Sequence, residues 1–384
     1  MSHFKTYFIY TFGCQANKAD SERITGDYQA RGYKPTKKVD DASEIVINTC
    51  AVRQRAEDRA VGLIHNLSLK FKEYADKPKI ILTGCMIHHG EYKLLKMLPF
   101  VDEILPMNEV GFNSPSVRRD KHHAWIPIST GCNSFCSYCV VPYSRGREKS
   151  RPEKEILKEI KDLVKKGYTE ITLIGQNVNS YGLEKIGIGL RKLLMHEPEK
   201  IKLPSNQSQY KKFKAKPPFV KLLEKICAID KVKIVRFMSS NPWDFSDELI
   251  NCIAKHKKID RFIHLPVQSG SNKILKLMNR GYTRQDYLKL VKKLKKAIPN
   301  VELGTDIIVG FPNETKKDFQ DTVNLAKKAD WKIAFVAQYS PRPHTLSSKL
   351  YQNTISPKEK KRRWQILEDL INKKHLKSRP KVIK

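Results

Sequence analysis

Apolar runs of strand length alternate with amphipathic stretches of helix length along the first part of the chain. The strand-like runs lie at 4–12, 44–48 and 79–83, and the helical stretches lie at 18–31 and 53–74. Strands that alternate with helices are typical of a parallel sheet covered by helices. The pattern therefore predicts an α/β domain over residues 1–112.

The same alternation resumes after a segment rich in Gly, Asn, Ser and basic residues, which we interpret as a linker over 113–124. Six strand candidates follow, with helical stretches between them, at 125–130, 169–174, 232–238, 262–265, 301–308 and 332–339. Six such units fit a partial barrel better than a closed barrel of eight. We predict this second domain over 125–350, with its chemistry at the carboxyl ends of the strands.

Two segments depart from this alternation. Residues 183–216 are rich in Lys and other polar residues, which predicts a long surface insertion within the second domain. Residues 351–384 form a basic tail, and one face of its predicted helix carries four apolar residues, Trp364, Leu367, Leu370 and Ile371.

The chain is strongly basic, with 73 Lys and Arg against 40 Asp and Glu and a net charge of +33. Nucleic acid is the commonest partner of such a charge, although a Lys-rich proteome would also explain it. Apolar residues make up 40% of the chain, enough for packed cores, but no uninterrupted apolar run is long enough to span a membrane. Because the N-terminus also lacks a signal peptide, we expect a cytoplasmic protein without membrane contact.

Three cysteines stand in the spacing C-x3-C-x2-C directly after the strand candidate 125–130. These are Cys132, Cys136 and Cys139, the loop cysteines. Three thiolates can ligate three irons of a [4Fe–4S] cluster and leave the fourth iron open for a small molecule. This spacing is typical of clusters that cleave S-adenosylmethionine (SAM), and we predict such a cluster here. A zinc site would need a fourth Cys or His close by, and none follows.

Cys14, Cys50 and Cys85, the strand-end cysteines, each follow an apolar strand candidate of the first domain. Parallel strands end at one edge of their sheet, so the three thiols are predicted to converge. Converging thiolates would again leave one iron open, whereas the alternative is three unrelated buried cysteines. Cys227 and Cys252 lie in apolar helical stretches instead, and we expect them in the core.

Longer motifs surround these cysteines and extend over nearly the whole chain. They include TFGCQANKADSE (11–22), NTCAVRQRAEDR (48–59), LTGCM (82–86), STGCNSFCSYCVVPYSRGREKSR (129–151), TLIGQNVNSYG (172–182) and GTDIIVGFPNET (304–315). Together they resemble the radical-SAM methylthiotransferases. Gln15 after the first cysteine, the NTCAVR stretch and the run VVPYSRGRE resemble the MiaB type, which modifies tRNA. Ala16 departs from the family, which often has Met there.

The resemblance implies a flavodoxin-like N-terminal domain, in which the strand-end cysteines hold an auxiliary [4Fe–4S] cluster. It implies that a partial (β/α)6 radical-SAM barrel follows, in which the loop cysteines hold the SAM cluster. The family usually ends in a small RNA-binding barrel called TRAM. No run of short strands follows the second domain, so we expect the TRAM domain to be absent. The basic insertion and tail would then supply the phosphate contacts.

The activity implied by the resemblance is methylthiolation of tRNA, at C2 of the N6-isopentenyladenosine on the 3′ side of the anticodon. SAM and the two [4Fe–4S] clusters would be the cofactors. A carrier such as flavodoxin or ferredoxin would supply electrons to a monomeric enzyme. The alternatives within the superfamily are methylthiolation of threonylcarbamoyladenosine in tRNA or of a ribosomal-protein Asp. A non-catalytic iron–sulfur protein that binds RNA is the alternative outside it.

Polar or aromatic residues near the predicted strand ends are candidates for contacts with SAM or substrate, namely Tyr138, Gln176, Asn177, Gln268, Ser269, Asp306 and Arg342. The alternative for Tyr138 is a packing role in the core. Arg145, Arg147 and Arg151 follow the loop cysteines and are candidates for contacts with the RNA backbone or the SAM carboxylate. The alternative for these arginines is a solvated basic loop.

Overall fold

The structure is a computed structural model, which describes residues 5–52, 54–106, 116–186 and 216–378 of the chain. Most of the predicted insertion 183–216 and the start of the predicted linker 113–124 lie outside these residues. Within them, the chain forms the sheets of two α/β domains in succession. Of the helices in this part of the chain, none is both long and apolar enough to cross a membrane.

The N-terminal domain contains a five-stranded parallel sheet in the order β2-β1-β3-β4-β5. Its strands are β1 (Thr6–Thr11), β2 (Lys34–Pro35), β3 (Glu44–Thr49), β4 (Lys79–Gly84) and β5 (Glu103–Ile104). This order is that of flavodoxin-like folds, so the predicted flavodoxin-like domain is confirmed. The three apolar runs found in the sequence are the three central strands, β1, β3 and β4.

Helices α1 (Gln15–Ala30), α2 (Gln54–Lys70) and α3 (Glu91–Met97) accompany this sheet. Helix α2 buries Ala60, Ile64 and Leu67, whose spacing of three and four residues places them on one face. They join a core with buried strand residues such as Ile47 and Leu82. Burial of this stripe is what fixes α2 against the sheet, because an isolated helix of this length is only marginally stable in water.

The second domain arranges six parallel strands in two three-stranded sheets. The strands are β6 (His123–Pro127), β9 (Glu170–Ile174), β10 (Ile234–Phe237), β11 (Phe262–His264), β12 (Glu302–Val309) and β13 (Ile333–Gln338). The sheets have the orders β10-β9-β6 and β11-β12-β13, and a parallel bridge between Val235 and Ile259 joins them. The resulting series of six strands is a partial (β/α)6 barrel, as predicted.

The predicted strand 125–130 is divided in the structure. Its first part belongs to β6, and its end forms β7 (Ser129–Thr130), which pairs in antiparallel fashion with β8 (Lys149–Ser150). Helix α4 (Val141–Ser144) lies between β7 and β8. The segment that carries the loop cysteines is therefore closed at its base by a short hairpin-like pairing, which periodicity alone does not reveal.

Helices cover the outside of the barrel, and they are α5 (Glu153–Lys165), α6 (Pro218–Cys227), α7 (Asp247–Lys255), α8 (Asn272–Leu277), α9 (Arg284–Ala297) and α10 (Lys316–Ala329). Thr283 and Thr315 cap α9 and α10, because each side chain accepts a hydrogen bond from the backbone amide of the third residue of its helix, Asp286 or Asp318, which fixes where these helices begin. Cys227 and Cys252 are buried in the barrel core, as predicted.

The C-terminal tail packs on the barrel. After α11 (Leu346–Leu350), helix α12 (Pro357–Leu367) brings Trp364 against β13, where its indole donates a hydrogen bond to the carbonyl of Val336 at 3.0 Å. Leu367 and Ile371 are buried in the barrel core. The prediction of one apolar helical face is therefore confirmed, and the tail covers the edge strand that an open barrel leaves unpaired.

Buried arginines join the two domains. Each of three arginines from beyond residue 115 pairs with an acid of the N-terminal domain, as Arg118 with Glu22 at 2.8 Å, Arg145 with Asp20 at 2.7 Å and Arg342 with Glu57 at 2.8 Å. All three guanidiniums are about 5% exposed. Among the described residues, Arg145 and Arg342 pair only with carboxylates of the N-terminal domain, whereas Arg118 also pairs with Glu159 of the second domain. The pairs of Arg145 and Arg342 therefore form only when the domains are docked, and they help to fix the orientation of one domain on the other.

Replacing Arg342 with Met should destabilise the protein strongly, because Glu57 would be left charged and buried. Loss of one partner of a buried pair costs roughly 3–5 kcal/mol. Urea unfolding of the reduced protein would measure this cost. Lys293→Met is the matched control, because Lys293 pairs with Asp247 on the surface, where a pair contributes about 0–1 kcal/mol. Equal, small losses in both variants would contradict a structural role for the domain contact.

Candidate functional site

The strand-end cysteines leave the carboxyl edge of the N-terminal sheet side by side. Strands β1, β3 and β4 are neighbours, so Cys14, Cys50 and Cys85 follow adjacent parallel strands. A Cβ added to Gly13 would lie 2.6 Å from the Cβ of Cys50, which shows how closely the first two strand ends approach. Cys50 and Cys85 are buried and Cys14 is exposed. The sheet therefore brings the three cysteines to one edge.

Asn17 joins the first two strand ends. The Cys14 thiol donates to Oδ1 of Asn17 at 3.4 Å, and Nδ2 of Asn17 donates to Oδ1 of Asn48 at 3.0 Å and to the carbonyl of Thr49 at 2.8 Å. Asn17 is fully buried. Sequence reasoning missed this residue, although it stands three positions after Cys14 on the first turn of α1. Its amide holds Cys14 against the end of β3.

The loop cysteines lie at the carboxyl end of β6 and β7, where barrel folds place their chemistry. Gly131 has a φ of +75°, and a Cβ there would lie 2.2 Å from the carbonyl oxygen of Arg147. The Cys132 amide donates to the carbonyl of Gly146 at 3.1 Å, and the Cys139 amide donates to that of Cys136 at 2.9 Å. The loop is thus folded tightly onto the residues before β8.

Burial raises the pKa of two of the loop cysteines, Cys132 and Cys139. It raises the pKa of Cys132 to about 12, with a smaller contribution from the Glu148 carboxylate. Burial also raises the pKa of Cys139, and the neighbouring thiols Cys136 and Cys132 raise it further. Because thiolates are the metal ligands, iron binding here must displace protons.

Each set of three thiols has the donor chemistry of an iron–sulfur cluster. Among the described residues, neither set brings its three sulfurs within 4.8 Å of one another, although two other groups of metal-ligating side chains come that close. A cluster takes each thiolate at a separate iron, so its ligands can lie farther apart than those of one ion. Three thiols in each set leave one iron of a [4Fe–4S] cluster without a protein ligand.

Gly84→Ala should disrupt the strand-end site. Gly84 has a φ of +94°, and a Cβ there would lie 2.2 Å from the carbonyl oxygen of Thr49, next to Cys50. Gly90 is the matched control, because its φ is +84° but its Cβ would meet open space. Both variants carry the left-handed strain of about 1–2 kcal/mol, and only Gly84→Ala adds a collision. We expect reconstituted iron to fall by about half in Gly84→Ala and to persist in Gly90→Ala. Full iron in both would contradict this assignment.

Unsatisfied polar atoms lie near the carboxyl ends of several barrel strands. Six side chains near the strand ends have a buried atom without a hydrogen-bond partner among the described residues, namely Ser129, Glu148, Gln176, Asn177, Ser240 and Asn241. Buried polar groups in proteins are normally satisfied. The cofactor SAM carries an amino group, a carboxylate and ribose hydroxyls, so these atoms fit a polar ligand of that kind. Two of the predicted contacts, Gln176 and Asn177, belong to this set.

Glu148 is a member of this set that sequence reasoning missed. Burial raises the pKa of Glu148 to about 8, and the carboxylates of Asp244 and Glu184 raise it further. The amide of Glu148 donates to Oδ1 of Asn133 at 3.2 Å, which ties it to the loop cysteines. A ligand with a positive charge would relieve the cost of burying this acid. The only signal in the sequence is its position in the run GREKSR.

Three other predicted contacts lie after β11, namely Gln268 and Ser269, or within β12, namely Asp306. Oδ1 of Asp306 lies 3.1 Å from Nε2 of His264, and the Asp306 side chain is about one third exposed. Gln268 has a φ of +73°, and its backbone amide donates a hydrogen bond to the backbone carbonyl of Asp306 at 2.8 Å. Gln268 is buried beside β12, and Asp306 is the more accessible of the two side chains. Ser269 is fully buried 3.4 Å from Oγ1 of Thr322, which gives it a packing contact with α10 instead of a position at the site.

Two further predicted contacts have other surroundings. Tyr138 packs against a small core around Ile274 and Phe311, which agrees with the alternative of a packing tyrosine. Arg342 donates to Glu57 and Gln54 of the N-terminal domain, both at 2.8 Å. Its guanidinium is therefore engaged in the domain contact, and the prediction that it binds the cofactor does not fit the structure.

The three predicted RNA-binding arginines separate into two kinds. Arg151 is buried, and its Nη1 donates to the carbonyl of Pro127 at 2.9 Å and to Glu159 at 2.7 Å. Arg145 is buried between the domains. Neither can reach an RNA backbone without losing these partners, so the RNA prediction does not fit them. Arg147 is exposed, with its guanidinium 4.5 Å from the ring centre of Phe135, and it remains a candidate.

Arg145 contacts the strand-end cysteines instead. Its Nε donates to Sγ of Cys85 at 3.1 Å, and its Nη2 donates to Asp20 at 2.7 Å. Burial lowers the pKa of Arg145, but Asp20 and the sulfurs of Cys85 and Cys14 raise it by more, so the net shift is upward. A side chain of the second domain thus supplies a fixed positive charge to the thiols of the first.

Arg280 is the corresponding residue at the loop cysteines. Its Nη1 donates to Sγ of Cys136 at 3.2 Å, and its Nη2 donates to the carbonyl of Pro266 at 3.0 Å. The guanidinium also lies 4.7 Å from the ring centre of Trp243. Sequence reasoning missed Arg280, because 144 positions separate it from the cysteine it contacts.

Family models match both domains. A model of the Radical SAM superfamily matches residues 126–326, which include the loop cysteines. A model described as Uncharacterized protein family UPF0004 matches residues 6–106, which include the strand-end cysteines. The two matches correspond to the two sheet-based domains of the structure.

Solved structures of similar fold include two radical SAM enzymes. One is TsrM from Kitasatospora setae, a radical SAM methyltransferase, with a TM-score of 0.58 and 13% identity over 90% of this chain and 75% of that one. The other is OxsB, a cobalamin-dependent SAM radical enzyme, with a TM-score of 0.54 and 11% identity over 93% of this chain and 56% of that one. At these identities the likeness supports the fold alone.

Curated relatives share far more sequence. The tRNA-2-methylthio-N(6)-dimethylallyladenosine synthase of Thermotoga petrophila is 38% identical over 96% of this chain and 82% of its own length. Enzymes with the same name from Desulforamulus reducens and Caldicellulosiruptor saccharolyticus are 40% identical over 97% and 99% of this chain, and over 81% and 80% of theirs. The chain therefore belongs to the radical SAM superfamily and, within it, to the family of the tRNA-2-methylthio-N(6)-dimethylallyladenosine synthases, which confirms the resemblance found in its motifs.

Proposed function

We propose that this protein methylthiolates tRNA, at C2 of the N6-isopentenyladenosine on the 3′ side of the anticodon. The observation that carries the proposal is the pair of three-thiol sites, one in each domain, in a chain about 40% identical to synthases of that name. One site would cleave SAM and the other would provide sulfur. A single three-thiol site would support SAM cleavage but would leave sulfur insertion without a source.

The loop cysteines would hold a [4Fe–4S] cluster, and the strand-end cysteines would hold a second one. When bound, the first cluster and SAM supply the electron and the radical that remove hydrogen from an unreactive carbon, and the second cluster supplies sulfur. The chain's own groups position these reactants. Glu148, Gln176 and Asn177 offer buried oxygens to the amino group and hydroxyls of SAM.

The positive surface would bind the tRNA backbone. The chain carries a net charge of +33, and phosphate contacts supply much of the affinity for RNA. Arg147 is exposed beside the loop cysteines, so it is placed to contact a phosphate near the target base. A small electron carrier such as flavodoxin or ferredoxin would deliver electrons to a monomer of this enzyme.

Nucleoside analysis of cellular tRNA tests the proposal. In a strain that lacks this protein, mass spectrometry of digested tRNA should show loss of 2-methylthio-N6-isopentenyladenosine and accumulation of its precursor without the methylthio group. Re-expression of the intact chain should restore the modification. Loss of the methylthio group from threonylcarbamoyladenosine alone would assign the enzyme to that substrate instead. Unchanged nucleosides would exclude tRNA as the substrate.

A further inference from the structure

A buried guanidinium of the second domain reaches the thiols of the first. Arg145 follows Cys139 by six residues, yet its Nε donates to Sγ of Cys85 at 3.1 Å. Its Nη2 donates to Asp20 at 2.7 Å, and its side chain is only 5% exposed. One arginine therefore connects the loop that carries one set of cysteines with the strand end that carries the other.

A guanidinium in this position has a predictable effect on an iron–sulfur cluster. Arginine stays protonated in proteins, so the positive charge is permanent. Thiolate ligands bring negative charge to a cluster, and reduction adds one more electron. Hydrogen bonds to the sulfurs and nearby positive charge both favour the reduced form and raise the reduction potential.

We infer that Arg145 is a positioning residue that retains the auxiliary cluster on Cys85 and raises its reduction potential, and that Asp20 opposes it. This inference rests on the proposed function, because it requires a cluster on the strand-end cysteines. Asp20 accepts a hydrogen bond from the same guanidinium and lies on α1, six residues after Cys14. Its negative charge offsets part of the charge of Arg145, so the two residues should shift the potential in opposite directions.

Arg280 provides the internal comparison. It donates to Sγ of Cys136 at 3.2 Å, and its side chain is buried as that of Arg145 is. Each set of thiols thus has its own buried arginine on one sulfur, and each arginine contacts only one set in the described residues. The effect of each arginine should therefore be confined to its own cluster.

Redox titration of single-cluster proteins tests the inference. In full-length protein with all loop cysteines replaced by Ala, electron paramagnetic resonance would follow the midpoint potential of the remaining cluster. Arg145→Gln should make this potential more negative and lower the iron retained per chain. Asp20→Asn should make it more positive. Arg280→Gln should leave the potential of this cluster unchanged. In the reciprocal protein, which lacks the strand-end cysteines, the cluster on the loop cysteines remains. There Arg280→Gln should shift the midpoint potential and Arg145→Gln should not.

The outcomes separate the inference from the proposed function. Arg145→Gln could lose its iron entirely, in which case Arg145→Lys should retain an intermediate amount, because lysine keeps the charge but cannot contact both partners. The shift of the midpoint potential in Asp20→Asn then still shows the direction of the electrostatic effect. The inference alone is overturned if Arg145→Gln changes neither the midpoint potential nor the iron content. It is also overturned if Arg145→Gln and Asp20→Asn shift the midpoint potential in the same direction. Failure of the parent protein with Arg145 intact to hold any cluster on the strand-end cysteines overturns both.

Discussion

Cys136→Ala should abolish the formation of 5′-deoxyadenosine from SAM. The loop cysteines are predicted to leave one iron open for SAM. A cluster that has lost one of its three thiolate ligands is not expected to bind SAM in the position that cleavage requires. The protein reconstituted under anaerobic conditions with iron, sulfide and dithionite would be assayed by liquid chromatography. We expect 5′-deoxyadenosine at the level of an assay without protein.

Cys227→Ala is the matched control for that experiment. Cys227 is a buried cysteine of the barrel core that belongs to neither three-thiol set, so its replacement removes a thiol without removing a predicted ligand. A buried Cys-to-Ala change costs some packing energy, but it should leave SAM cleavage measurable. The assignment would be contradicted by full cleavage in Cys136→Ala, or by equal loss in both variants.

Cys85→Ala should separate SAM cleavage from sulfur insertion. The strand-end cysteines belong to another domain and another predicted cluster, so the loop cysteines would still support cleavage. We expect 5′-deoxyadenosine to form while the methylthiolated nucleoside falls below detection. Both products would be measured by mass spectrometry in one reaction with SAM and isopentenylated tRNA.

A second variant, Cys14→Ala, shows whether the effect of Cys85→Ala comes from loss of a cluster ligand or from loss of the contact with Arg145. Cys85→Ala removes the sulfur that Arg145 contacts, whereas Cys14→Ala removes an exposed thiol and keeps that contact. Both variants should give the same split between the two products if the three thiols act as one ligand set. Methylthiolation that persists in both would contradict a role for the strand-end cysteines in sulfur insertion.

Much of the fold could be predicted from the apolar pattern, because long buried strands leave a strong signal. Strands β3 and β4 are runs of buried residues such as Ile45 to Ile47, and β1 is an apolar run whose residues are mostly half-buried. Strands β2 and β5 have only two residues each, so they leave no periodic pattern. Helix α3 was missed because it is short and largely exposed.

The candidate site could be predicted only where chemistry is local or follows from strand topology. The loop cysteines lie within eight consecutive residues, and the strand-end cysteines follow from the rule that parallel strands end at one edge. Arg280 and Glu148 depend on which distant segments meet, which neither spacing nor periodicity specifies. The prediction for Arg145 is wrong for the same reason. Its place in a basic stretch of sequence predicted a contact with RNA, but the fold buries it against the carboxylate of Asp20 and the thiol of Cys85.

The most direct test of the account is product analysis with a defined RNA. An anticodon stem–loop with a single isopentenyladenosine would be incubated anaerobically with the reconstituted enzyme, dithionite and SAM carrying a deuterated methyl group. We expect a nucleoside that gains one sulfur and one deuterated methyl group at C2, together with 5′-deoxyadenosine. Formation of 5′-deoxyadenosine with no methylthiolated nucleoside, from a preparation that holds both clusters, would contradict it.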